Sequence, residues 1–263
     1  METKDSTLPV SKAKKVIKTT SKIQGLELEG KFWSPSTVGR ENTVKNYDHE
    51  FSRVLPEKSI LDHLRKRKEK GKSTFVLDLA GGAGGGLRDI SKAGLLDGGI
   101  NVNLTDMRSD EERAYDSNHN IHLLEGDLFR ASSWRKIVDK AKELSPSGDF
   151  DLIICRPQGA FNLVHAPKPV FGYEFPEEFY LPIMRRIINM LSIDNGLLLT
   201  QIPPNIETKE LKRELKNLND YPGLFPRYAG RIVFEILDDA IPNPFDNGVL
   251  SIVKNAEVPF TIQ

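Results

Sequence analysis

Val76-Leu77-Asp78-Leu79-Ala80-Gly81-Gly82-Ala83-Gly84-Gly85-Gly86 is the stretch on which the reading of this chain turns. Its first four residues belong to the apolar run 74–79 and read as a short buried strand. Five glycines then fall within the six positions 81–86. Small residues let a backbone turn sharply and approach a ligand closely. Residues 85–95 read as a helix, so the segment is a strand, a tight turn and a helix. In an open parallel sheet such a turn lies at the carboxyl edge, near the switch point where ligands bind. A glycine-rich turn with no ligand is the plainer alternative.

Outward from this segment the same alternation continues. Strands are expected at 100–105, 121–124, 150–155 and 196–202, and helices at 132–144, 176–192 and 206–218. The runs 231–237 and 248–254 are close enough to pair as a hairpin. Strands separated by helices imply βαβ units and right-handed crossovers. The expectation is an α/β fold with a doubly wound, mostly parallel seven-stranded sheet. It would carry helices on both faces, a C-terminal antiparallel hairpin and an N-terminal extension. Residues 51–70 read as a helix with apolar Val54, Leu55, Ile60, Leu61 and Leu64 on one face. Residues 24–50 read as an irregular segment, and residues 1–23 as a lysine-rich tail that would touch a polyanion or stay mobile. That divides the chain into an extension, 1–50, and a Rossmann-like domain, 51–263.

The chain has 263 residues, with 37 Lys+Arg balanced by 37 Asp+Glu. That balance leaves no global field to draw it onto nucleic acid or an anionic membrane. Its one cysteine, Cys155, has no intrachain partner, which favours a reducing, cytoplasmic setting. No run approaches the length of a membrane helix. The histidines His49, His63, His119 and His122 show no metal-ligand spacing with cysteine, so no metal is expected.

The glycine stretch departs from two nucleotide fingerprints. In Gly82-Ala83-Gly84-Gly85-Gly86-Leu87 the third glycine of G-x-G-x-x-G is Leu87, and no G-K-[ST] follows. The sequence instead resembles the class I S-adenosylmethionine-dependent methyltransferase family, whose first motif is a strand ending in acidic-x-Gly-x-Gly-x-Gly. Asp78, Gly82 and Gly84 match, and Ala80 stands at the first glycine. The resemblance runs from about residue 74 to 254. It implies S-adenosyl-L-methionine as cofactor over Asp78, Leu79, Ala80, Gly81, Gly82 and Gly84. It implies that Asp106, read as ending the second strand beside Met107, accepts hydrogen bonds from the ribose hydroxyls. A carboxylate offers two oxygens to two such donors. It also implies that Asp127, beside Leu128 after the third strand, meets the adenine.

The fourth strand ends Ile153-Ile154-Cys155-Arg156-Pro157-Gln158-Gly159. It lacks the [Asn/Asp]-Pro-Pro-[Tyr/Phe] of amino-methylating enzymes and the Asp of the ribose-methylating tetrad. Cys155 is expected at the cofactor site as a buried strand-end residue rather than a nucleophile. Arg156 is a candidate for binding a carboxylate or phosphate, and His165 for a general base. Phe161, Phe171, Tyr173 and Phe175 would wall a pocket or pack on the sheet. Methyl transfer from a sulfonium needs little covalent help, because proximity and in-line alignment supply most of the acceleration. The expected function is methyl transfer to an acceptor that is a small molecule, a protein or RNA. A methyltransferase-like binding domain without turnover and a nucleotide-dependent oxidoreductase remain as alternatives.

Overall fold

The computed structural model describes residues 42–126, 128, 131–156, 183–184, 186–202, 230–235, 248–255 and 261–262. Eight strands form one sheet: β1 (Phe75–Leu79), β2 (Gly98–Asn103), β3 (Ile121–Glu125), β4 (Leu152–Cys155), β5 (Asp194–Ile202), β6 (Gly230–Glu235), β7 (Gly248–Asn255) and β8 (Thr261–Ile262). Their order is β3-β2-β1-β4-β5-β7-β6-β8. The pairs among β3, β2, β1, β4 and β5 are parallel. β7 lies antiparallel to both β5 and β6. The sheet therefore has eight strands rather than the expected seven, because Thr261–Ile262 adds a short parallel edge to β6.

The helices follow local capping. Thr43 accepts a hydrogen bond from Asn46 N at 3.3 Å and starts α1 (Val44–Glu50). Ser59 accepts from Asp62 N at 3.1 Å and starts α2 (Ile60–Glu69), which ends in Lys66, Arg67 and Lys68, as its dipole favours. α3 (Gly85–Lys92) begins after Gly84 with no side-chain cap. Ser109 and Glu112 close a capping box on α4 (Asp110–Asn118). α5 (Ala131–Leu144) follows β3, and residues 183–184 and 186–189 are helical before β5.

Three local expectations need correction. The helix expected over 51–70 begins only at Ile60, because Pro56 has no N–H and disfavours helix at Leu55. Val44–Glu50, read as irregular and placed in an extension 1–50, is a helix whose Val44 and Tyr47 are buried in the core. The second strand ends at Asn103, so Asp106 lies three residues beyond it. The expected helix 206–218 lies outside the described residues, as do the tail and residues 176–182 and 185 of the helix expected over 176–192.

Alternating strand residues feed two apolar clusters. Leu77, Leu79, Ile153, Cys155 and Leu198 pack with Trp134 and Ile137 of α5. Val76, Ile154, Leu197 and Leu199 pack with Tyr47 of α1, Leu64 of α2 and Leu87 of α3. Each such buried aliphatic side chain contributes about 1.5–3 kcal/mol. Continuing this alternation to the strand ends puts Asp78, Asn101, Asn103, Arg156 and Gln201 on the α1–α3 face. At the opposite, amino edge, a buried Arg67–Asp151 ion pair fastens α2, and Asp151 also accepts from Phe75 N at 2.9 Å. Among the described residues no helix is long and apolar enough to cross a membrane.

Candidate functional site

The chain leaves β1 through a loop of left-handed residues. Ala80 has φ +63°, Gly82 +59° and Gly84 +83°. A left-handed residue that carries a Cβ costs about 1–2 kcal/mol, so Ala80 is held there by its surroundings. Its N–H donates to Val102 O at 2.9 Å, and its carbonyl accepts from Asn42 Nδ2 at 3.3 Å. Asn101 Nδ2 donates to Gly82 O at 2.8 Å, and Asn103 Nδ2 donates to the same oxygen. A Cβ on Gly81 would stand 2.7 Å from Asn101 Oδ1 and run into Asp78, so only glycine fits there. The loop is thus tied to β2 on one side and to the start of α1 on the other.

Beneath the loop, Asp78 is fully buried. Tyr47 Oη donates to Asp78 Oδ2 at 2.9 Å. Asp78 Oδ1 and Asn101 Oδ1 are buried without a hydrogen-bond partner among the described residues. Burial pushes the Asp78 carboxyl up to about 7, against the Tyr47 hydrogen bond and the Arg156 charge, which lower it. A buried carboxyl with one neutral donor resists ionisation.

Asp106 sits at the far end of a chain of charges. Arg108 donates from Nε to Asp106 Oδ1 and from Nη2 to Oδ2, both at 3.0 Å. Arg108 Nη1 reaches Asp116 Oδ2 at 3.1 Å. Asp116 is clamped by buried Arg88, whose Nε is 2.8 Å from Oδ1. Arg88 also donates to Ala83 O in the glycine loop. The Arg108 hydrogen bonds hold the Asp106 carboxyl down at about 2, so it is a carboxylate at any ordinary pH. Met107 beside it is half-buried.

At the ends of β3 and β4 the expected residues part company. Gly126 N donates to Asn103 O at 2.8 Å, and buried Leu128 accepts from Trp134 Nε1 at 2.8 Å. Asp127 lies outside the described residues, as do His165 and the aromatic residues Phe161, Phe171, Tyr173 and Phe175. Cys155 faces the α5-side cluster, and burial pushes its thiol up to about 12. Its side chain is a core group, so only its backbone could line a ligand. Arg156 donates to Asn42 Oδ1 at 2.7 Å and pairs with Glu50, which also accepts from Gln201. Burial raises the Glu50 carboxyl, and the Arg156 charge counters it. Among the described residues no group of three or more His, Cys, Asp or Glu is placed to hold a metal ion.

Sequence reasoning missed Asn42, Tyr47 and Glu50, which α1 lowers onto the ends of β1, β4 and β5. The available signal was Thr43 as an N-cap, followed by Val44 and Tyr47 at the i,i+3 spacing of one helix face. It also missed Arg108, because nothing in the spacing says that a guanidinium two residues on will fold back over Asp106.

No family model and no curated protein matches the chain. Several solved structures are similar to it at low identity. One is a Listeria monocytogenes protein described as a class I S-adenosylmethionine-dependent methyltransferase, with 15% identity and a TM-score of 0.45 over 77% of this chain. The match spans 62% of that protein's length, and 48% of that of a Streptococcus mutans protein described as a SAM-dependent methyltransferase. An rRNA methylase from Streptococcus thermophilus shows 13% identity and a TM-score of 0.39, over 74% of this chain and 93% of its own. The plantazolicin methyltransferase BpumL, in complex with SAH, shows 15% identity and a TM-score of 0.40, over 92% of this chain and 99% of its own.

Proposed function

We propose that the chain is a methyltransferase that takes S-adenosyl-L-methionine at the carboxyl edge of β1 and β2 and passes its methyl group to an acceptor. The observation that carries this reading is the left-handed turn through Ala80, Gly82 and Gly84 between β1 and α3. It lies where the strand order departs from β1 in both directions, the place where open α/β sheets bind ligands. The residues present fit such a cofactor. Gly81 lets the turn close directly over the Asp78 and Asn101 side chains, and Asp78 Oδ1 is a buried acceptor awaiting a donor or cation. Asp106 is held ionised and oriented by Arg108. Arg108 fills three of the carboxylate's about four lone-pair sites, its backbone N–H at 2.9 Å included, so Asp106 has one acceptor site for a ribose hydroxyl and takes the second when an Arg108 hydrogen bond gives way.

When bound, the cofactor supplies a methyl group on a sulfonium, an electrophile whose leaving group departs neutral. The chain's part is to position. The backbone of Gly82 and Gly84 lets the ligand approach, Asp106 takes the ribose, and Asp127 and Leu128 flank the adenine. Asp78 faces the remaining, cationic end. The segment after Cys155 borders the acceptor, which is a small molecule, a protein or RNA.

Calorimetric titration with S-adenosylmethionine and S-adenosylhomocysteine tests the reading. Micromolar binding of both is expected, with Asp106→Ala weakening it by about 1–3 kcal/mol, as for loss of a hydrogen bond to a charged group. No binding at millimolar ligand overturns it. One observation favours a second reading, a domain that binds ligand and partner without turnover: Arg156, at the acceptor end of β4, is closed into the pair with Glu50. Transfer of a labelled methyl group distinguishes the two.

A further inference from the structure

We infer that Tyr47, on the N-terminal helix α1, is a positioning residue of the cofactor site. Its hydroxyl fixes Asp78 through Oδ2 and leaves Oδ1 for the cationic amino-acid half of the ligand. The inference rests on the cofactor reading above and goes beyond it, because it brings a helix outside the β–α–β repeat into the binding site.

The geometry has three parts. Tyr47 is fully buried, and its hydroxyl lies 2.9 Å from Asp78 Oδ2. The other oxygen, Oδ1, is buried and has no hydrogen-bond partner among the described residues. A buried acceptor left so is costly unless something fills the place. Arg156, the cation that acts on Asp78, has its guanidinium engaged by Glu50 and Asn42. Glu50 lies one helical turn after Tyr47, so one face of α1 both anchors Asp78 and keeps Arg156 occupied elsewhere.

Strand order says which part of the ligand meets Asp78. Asp106 and Leu128 follow β2 and β3, on one side of β1. A nucleoside lying over them brings its other end to β1, where Asp78 stands. For S-adenosylmethionine that end carries the ammonium and sulfonium cations. The Tyr47 ring is itself pinned, because a Cβ on Gly86 would come within 2.6 Å of Tyr47 Cε2.

The test compares ligands on wild type, Tyr47→Phe, Asp78→Asn and the double variant. Tyr47→Phe keeps the ring and removes only the hydroxyl. Its affinity for S-adenosylmethionine should fall about tenfold, the size of one lost hydrogen bond to a charged group. Affinity for 5′-methylthioadenosine, which has no amino-acid half, should stay unchanged. In the Asp78→Asn background the Tyr47→Phe step should have no further effect. Equal loss of both ligands marks a merely structural role and overturns the inference, as does undiminished S-adenosylmethionine affinity. If Tyr47→Phe does not fold, Asp78→Asn decides: it should lose S-adenosylmethionine selectively, and retention overturns the inference. Failure of wild type to bind either ligand overturns the cofactor reading and the inference with it.

Discussion

Asp78 makes the stability of the chain fall as pH rises. Burial raises its carboxyl from 3.8 to about 7. The groups that act on it are Tyr47 of α1 and Arg156 after β4, while Cys155 of β4 feels its charge in turn. On unfolding the carboxyl returns to its ordinary value, so the folded chain holds the extra proton between those limits. The stabilisation is complete below the unfolded value and is lost as pH rises through about 7. Asp78→Asn removes it. The stability difference between about pH 5 and about pH 8 should shrink by on the order of 2 kcal/mol in that variant. Urea melts at both pH values check this, and parallel profiles for variant and wild type would refute it. At this scale the motif made the turn after β1 through Gly82 and Gly84 legible, because a run of neighbouring small residues carries it. Tyr47 and Asn42 were not legible. They act on Asp78 and Ala80 from 31 and 38 residues away, through a packing contact that spacing does not encode.

Among the elements, α1 and α3 meet at glycine. A Cβ on Gly85 would lie 2.9 Å from Asn42 O, and one on Gly86 would lie 2.6 Å from Tyr47 Cε2. Two effects oppose each other in Gly86→Ala. Alanine is the better helix former by about 1 kcal/mol. Overpacking against a buried ring costs about 1–3 kcal/mol. The ring is fully buried and hydrogen-bonded, so the clash should win, and we expect a net loss of about 1 kcal/mol in a denaturant melt. A stabilised Gly86→Ala would show that α1 yields more easily than this contact implies. β1, β4 and β5 were readable because strands buried on both faces are near-continuous apolar runs. α4 escaped the sequence reading, since Asp110–Asn118 is almost wholly polar and shows no apolar period; the signal it offered is the Ser109-x-x-Glu112 box. α1 was hidden for a different reason: seven residues are too few to display a period.

For the molecule as a whole, the boundary drawn at residue 50 cuts through the core. Val44 and Tyr47 belong to the same cluster as Val76 and Leu199. A chain beginning at residue 51 should therefore lose at least about 3 kcal/mol relative to one beginning at residue 42, the scale of deleting a large core side chain. Chemical denaturation of the two chains measures it, and equal stability would return α1 to the extension. Mostly parallel strands and a closing antiparallel pair were legible from the alternation of elements. The place of β7 between β5 and β6 was not, because hairpin spacing predicts the β6 pairing and is silent on a second neighbour. That placement has a consequence during synthesis. β5 is made more than forty residues before the strand that covers its flank. Until Gly248–Asn255 has left the ribosome, the apolar edge Leu197–Leu199 has no partner on that side. An open strand edge is a template for pairing with other chains. A nascent or prematurely terminated chain is thus open to aggregation and chaperone capture between the synthesis of Ile202 and that of Gly248, and β7 acts as the seal on the nascent fold.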